Sequence, residues 1–218
     1  MSALVILAGP LRVIMVATML LVVPSYTFAE TNDAVVATPP AISAARLAEV
    51  NLGLKALPPQ SGAFEQIMPN GGLAEGTYHM DWPARLRFAY DAASGGAIVT
   101  VKGKFVAVQE TARAEPNWFP VSLTPLAVLR QAVEIGIQPN MLVAASEAEG
   151  QLALTLRDPS GDLPGTATLY FAAPDWQLYA WRLVDVQNLV TQVRLRARRV
   201  QTDLSDRVFD IDYDEPDD

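Results

Sequence analysis

The sequence predicts a mainly β protein with a few helices, built on a meandering antiparallel sheet that has one apolar face. Three observations carry this. From about residue 62 onward, apolar and polar residues alternate with a period near two. Turn signals recur at short intervals, as Pro69-Asn70-Gly71-Gly72, Ser94-Gly95-Gly96, Lys102-Gly103, Glu149-Gly150, Pro159-Ser160-Gly161 and Pro174-Asp175. Helical patterns are scarce, with one candidate before the strands and one among them.

The elements follow in order. An uncharged, largely apolar run from Val13 to Val23 follows Arg12, the only charged side chain before Glu30, and Pro24 to Ala29 supplies a helix-breaking end. That layout predicts a signal peptide over residues 1–29, since the run is far shorter than the roughly 20 residues that span a bilayer. Residues 30–40, ending in Thr38-Pro39-Pro40, read as a flexible leader. A single domain is expected over 41–213, followed by an acidic tail over 214–218.

Within that domain, the alanine-rich stretch from Ala41 to Leu57, stopped by Pro58-Pro59, predicts a helix. Strands are expected at about 62–68, 74–82, 85–91, 97–101, 104–109, 151–157, 166–172, 177–184 and 191–200. A second helix is expected over 124–133, with Thr124 as N-cap, Pro125 at the first helical position, and Leu126, Leu129 and Val133 on one side.

The alternation separates the two faces of the sheet. Leu86, Phe88 and Tyr90 share one face, as do Ala167, Leu169 and Phe171, and as do Tyr179, Trp181 and Leu183. On the last strand Val193, Leu195 and Ala197 oppose Arg194, Arg196 and Arg198, which places the arginines in water. About nine strands with one apolar face must cover it, by curling into a barrel or by packing helices on it.

Composition removes several function classes. The chain carries no cysteine, which excludes disulfides, thiolate chemistry and lipid attachment through cysteine. A net charge of −8 gives no bulk attraction to nucleic acid. His79 is the only histidine and reads as an ordinary strand residue. The carboxylates concentrate in a C-terminal run from Asp203 to Asp218 that reads as solvated, with no metal-ligand spacing. Trp82, Trp118, Trp176 and Trp181 are core or turn residues on one reading and lining of an apolar groove on the other. No catalytic residue, cofactor or metal is expected, and the protein reads as a binding protein, not an enzyme.

Gly62-Ala63-Phe64-Glu65-Gln66, then a turn, then Gly76 to Asp91 with Pro83 followed by Leu86-Arg87-Phe88, resembles the LolA family of periplasmic lipoprotein carriers. Gly103, the Asn117 to Leu126 run, Asp175-Trp176-Gln177-Leu178 and Phe209-Asp210-Ile211 extend the likeness over most of residues 41–213. The resemblance implies an unclosed, strongly curved antiparallel β-barrel with helices lidding the apolar concave face. It also implies a soluble, monomeric carrier in the Gram-negative periplasm. Such a carrier takes lipoprotein acyl chains from an inner-membrane lipoprotein-releasing ABC transporter and ferries them to an outer-membrane acceptor. The family arginine before the strand-opening proline, which hydrogen-bonds to the lid, is replaced here by Trp82.

On these grounds Leu86, Phe88, Tyr90, Val99, Val101, Phe171, Tyr179 and Trp181 are the expected acyl-chain groove. Leu126 and Leu129 are its lid, and Trp82 marks the lid-control position. A chain of about 16 carbons is held out of water by roughly 12 kcal/mol of transfer free energy, which explains the need for a large apolar surface. A carrier of free envelope lipid and a lipid-sensing module of the same fold remain alternatives.

Overall fold

The computed structural model describes residues 42–214. The signal peptide and leader expected over 1–40 lie outside the described residues, as do the last four residues of the expected acidic tail. Helix α1 (Ala44–Lys55) precedes β1 (Gln60–Ile67), β2 (Leu73–Asp81), β3 (Arg85–Tyr90), β4 (Ile98–Lys102), β5 (Phe105–Gln109) and β6 (Asn117–Pro120). Helix α2 (Leu126–Ile135) then leads to β7 (Leu142–Ala148), β8 (Gln151–Leu156), β9 (Thr166–Ala172), β10 (Gln177–Val184) and β11 (Val190–Val200).

All the strands belong to one antiparallel sheet of order β6-β5-β4-β3-β2-β1-β11-β10-β9-β8-β7. Each wing is a plain meander of hairpins, and the pairing of β1 with β11 joins the wings. The sheet does not close, because β6 and β7 stand at opposite edges. Helix α2 is the connection between those two edges. Val128, Leu129 and Ala132 of α2 are buried in one core with residues from both wings, so the helix occupies the concave side. An unclosed, strongly curved sheet with helices on its concave face is therefore the architecture observed.

Strands β6 and β7 lie outside the nine expected. β6 has only four residues, ends in proline, and pairs on one side alone. β7 reads Leu-Val-Ala-Ala-Ser-Glu-Ala and is largely exposed, so it lacks the apolar alternation that marks a half-buried strand. The second helix begins one residue later than expected. Thr124 is not its N-cap: it closes a 3-10 turn at Val121–Leu123, where its hydroxyl donates to the Val121 carbonyl, and Pro125 takes the cap position.

The convex face departs from expectation on the β3–β5 side. After β11 the chain returns across β3, β4 and β5. Leu204 and Phe209 are buried beneath it, and the Arg85 guanidinium stacks 4.6 Å from the Phe209 ring centre. Arg87 donates to the Asp210 carbonyl and Gln109 to the Asp212 carbonyl, while Asp206, Asp210 and Asp214 pair with Arg85, Lys102 and Arg113. As far as Asp214 the acidic run is thus a strap docked on the sheet by Leu204 and Phe209, and its carboxylates remain exposed, as expected. Its carboxylates meet Arg85 and Lys102 on these strands and Arg113 in the loop after β5.

Candidate functional site

The inner faces of the strands gather their aromatic residues. Phe64 on β1 meets Phe88 on β3 edge-on, with ring centres 4.6 Å apart, and meets Tyr90 at 5.0 Å. These contacts pass over the intervening strand at Gly76, where a Cβ would lie 2.8 Å from the Phe64 ring and 2.1 Å from the Ala89 carbonyl oxygen. Only glycine leaves that space open.

Phe88 also approaches Trp181 on β10, with ring centres 6.1 Å apart. In a flat sheet these strands would be separated by four spacings, or about 19 Å. Curvature therefore folds the two inner faces toward each other. Helix α2 packs against β9, and its Leu129 is fully buried in the core that both wings share.

Leu86, Phe88, Val101, Phe171 and Trp181 are all buried in this core, as the alternation predicts. Tyr90, Val99 and Leu126 are partly buried and pack against it. Trp82 is buried in the same core, and its indole N–H has no hydrogen-bond partner among the described residues.

Tyr179, expected in the groove, does not face the interior. A register shift between Leu178 and Ala180 pairs Leu178 with Phe171, Ala180 with Tyr170 and Trp181 with Leu169. Leu178 and Trp181 therefore both face inward, and Tyr179 is the extra residue of a β-bulge turned the other way. Its hydroxyl donates to Gln151 Oε1 at 2.9 Å, and its ring leans on Tyr170. Leu178 takes the inner position that simple alternation assigned to Tyr179.

A second bulge corrects the last strand. Ser61 pairs with Arg199 and Ala63 with Arg196, so Ala197 and Arg198 together face Gly62. Ala197 adopts φ 48° to make the extra step. Arg198 is thereby turned from the water-facing row toward Tyr78, whose hydroxyl feels its positive charge. Burial outweighs that charge and pushes the Tyr78 hydroxyl up to about 12. The Tyr90 hydroxyl is likewise raised to about 12 by burial, although it donates to Gln66 Oε1 at 2.6 Å.

The interior is bounded on the helical side by two polar ties. Asn51 of α1 bonds the backbone of Ile137 just beyond α2. Gln131 of α2 donates to Asp158 in the loop after β8. A surface cleft of about 730 Å³ lies between α1 and the β9–β10 turn, with Arg46, Leu57, Trp176 and Arg198 on its walls. Among the described residues no three of His, Asp and Glu cluster as a metal site requires. No described helix is long and apolar enough to cross a membrane. His79 lies on the convex side opposite Arg87, and burial, then the nearby arginine charge, lower its pKa.

These residues build a half-barrel whose apolar interior is closed by a helix. No family model matches the chain, and no curated protein matches it in sequence. Solved structures do align with it. A LolA superfamily protein from Nitrosomonas europaea is 12% identical with a TM-score of 0.41, over 75% of this chain and 95% of that one. A putative outer membrane lipoprotein-sorting protein domain from Vibrio parahaemolyticus is 7% identical with a TM-score of 0.45, over 75% and 94%. The lipoprotein LppX of Mycobacterium tuberculosis is 14% identical with a TM-score of 0.38, over 72% and 97%.

Proposed function

We propose that this protein is a non-catalytic carrier of lipoprotein acyl chains in the bacterial envelope, exported to the periplasm by a cleaved signal peptide. One observation carries the reading: the helix that joins the two unpaired sheet edges is the same helix that fills the apolar interior. Moving α2 outward opens that interior to an acyl chain while every strand pairing is kept. The aromatic and aliphatic lining found on both wings then replaces helix contacts with ligand contacts.

The closed state also accounts for release. Contacts between α2 and the sheet compete with the ligand, and this competition lowers net affinity below what the apolar area alone would give. A carrier that must hand its cargo on needs that reduction. In this reading it is loaded by an inner-membrane lipoprotein-releasing ABC transporter and unloads at an outer-membrane acceptor.

Depletion of the protein in its own cell tests the reading, with lipoproteins then quantified in separated membranes. The expected result is outer-membrane lipoproteins stranded in the inner membrane. Normal sorting after full depletion overturns the lipoprotein role. Mass spectrometry of an organic extract of the purified protein identifies the cargo, since acylated peptide and free lipid differ in mass.

A further inference from the structure

The inner face across β11, β1 and the end of β2 carries hydrogen-bond donors that no described residue satisfies. Gln60 is fully buried, and its Nε2 has no partner; its Oε1 lies 3.5 Å from the Tyr78 hydroxyl. Trp82 follows Met80, the cross-strand partner of Gln60, by two residues on the same face, and its buried Nε1 is also unpartnered. Arg198, brought inward by the bulge at Ala197, has its Nε buried without a partner. No carboxylate among the described residues forms an ion pair with it.

Buried donors are nearly always paired in folded proteins, so three unpaired in one neighbourhood of an otherwise apolar interior call for a ligand that supplies acceptors. All three are N–H groups, which excludes an ammonium or a metal cation as the missing partner. Arg198 also lines the cleft between α1 and the β9–β10 turn, beside Leu57 and Pro58, so the cluster reaches solvent at one end. The core aromatic residues adjoin it, since Gly62, which faces Arg198, pairs with Tyr78, and Tyr78 pairs with Phe88. The Tyr78 hydroxyl donates to Gln60 Oε1 at 3.5 Å, which leaves the Gln60 Nε2 as the free end of that amide.

We propose that Gln60, Trp82 and Arg198 form a head-group subsite that binds the acceptor oxygens adjoining an acyl chain, either ester carbonyl or phosphate. This rests on the acyl-carrier reading above and adds a polar anchor to it. Arg198 holds the oxygen nearest the cleft, and Gln60 and Trp82 hold those further in, so the chain enters the concave face with a defined direction.

The test uses the mature protein with 1-N-phenylnaphthylamine as an apolar probe and two competing short-chain lipids. Dioctanoylglycerol keeps the ester carbonyls and lacks phosphate; di-O-octylglycerol phosphate keeps the phosphate and lacks the esters. Arg198→Met and Gln60→Met are each expected to bind the naphthylamine like the parent while losing about tenfold in affinity for the preferred lipid. Arg198→Lys, which keeps a donor, should retain part of it. Parental preference for one lipid assigns the oxygen that is bound, and equal affinity assigns both. Unchanged lipid affinity in both Met variants, equal loss of probe and lipid, or parental binding of the probe but neither lipid each overturns the subsite and leaves the apolar carrier standing. A parent that binds neither probe nor lipid overturns the carrier reading and the subsite together.

Discussion

Asn51 satisfies both backbone polar groups of Ile137: its Oδ1 accepts from the Ile137 amide at 2.7 Å, and its Nδ2 donates to the Ile137 carbonyl at 3.1 Å. Ile137 follows Gly136, which ends α2 at φ 78°, and is itself buried. One side chain on α1 therefore fixes where α2 stops. Asn51→Ala leaves both groups of Ile137 without their partner and should cost about 2 kcal/mol in urea unfolding. If the tie restrains the lid, this variant also takes up an apolar dye faster than the parent, in stopped-flow fluorescence under native conditions.

The Phe88–Trp181 contact joins strands from opposite wings. Phe88→Leu and Trp181→Leu should each destabilise the protein. The double variant should lose less than the two single losses combined, with a coupling of about 1 kcal/mol from the shared ring contact. A double-mutant cycle on equilibrium unfolding measures it. Strict additivity would mean that the two wings are not packed together in solution.

Asp158 ties the loop after β8 to α2. Its Oδ2 accepts from Ser160 Oγ at 2.5 Å and from the Asp162 and Leu163 amides at 2.9 and 3.0 Å, and its Oδ1 accepts from Gln131 Nε2 at 3.3 Å. Led by the Ser160 hydrogen bond, these contacts hold the carboxyl down at about 2. A carboxyl depressed in the folded state stabilises fully above its unfolded pKa of about 4, and that contribution is lost as pH falls through the folded value. Urea midpoints measured from pH 6 to pH 2 should therefore fall less steeply in Asp158→Asn than in the parent. At pH 6 the variant should be about 1 kcal/mol less stable.

The C-terminal strap separates apolar from ionic contributions. Phe209 is fully buried, whereas its neighbour Asp206 is 89% exposed even though it pairs with Arg85. Phe209→Ala should cost about 3 kcal/mol in thermal or urea unfolding. Asp206→Asn and Asp210→Asn should each stay within about 0.5 kcal/mol, because solvent screens exposed pairs. A large loss from either carboxylate would show that ion pairs, not the buried ring, hold the strap.

Much of the fold is legible in local pattern. Leu86, Phe88, Val101, Phe171 and Trp181 alternate with polar neighbours, and the sheet buries all of them. The glycine and proline turns set the hairpins between β1 and β5 and between β8 and β10. β6 and β7 escape notice because their residues carry no apolar alternation, and what makes them strands is a neighbour already in place. The same is true of Gln60: a glutamine at the start of a strand gives no sign that it will be fully buried.

The sequence by itself determined that this is a one-faced antiparallel meander with two helices, because period, turn chemistry and helix stops act between residues close along the chain. Tertiary structure alone decided which side chains meet. Bulges at Tyr179 and Ala197 exchange faces by one residue, putting Leu178 inside, Tyr179 outside and Arg198 beside Tyr78. The strap from Leu204 to Asp214 finds its partners on β3, β4 and β5, about a hundred residues earlier. Register and long-range docking come from packing the whole sheet on its helices, and no short window of sequence contains both partners.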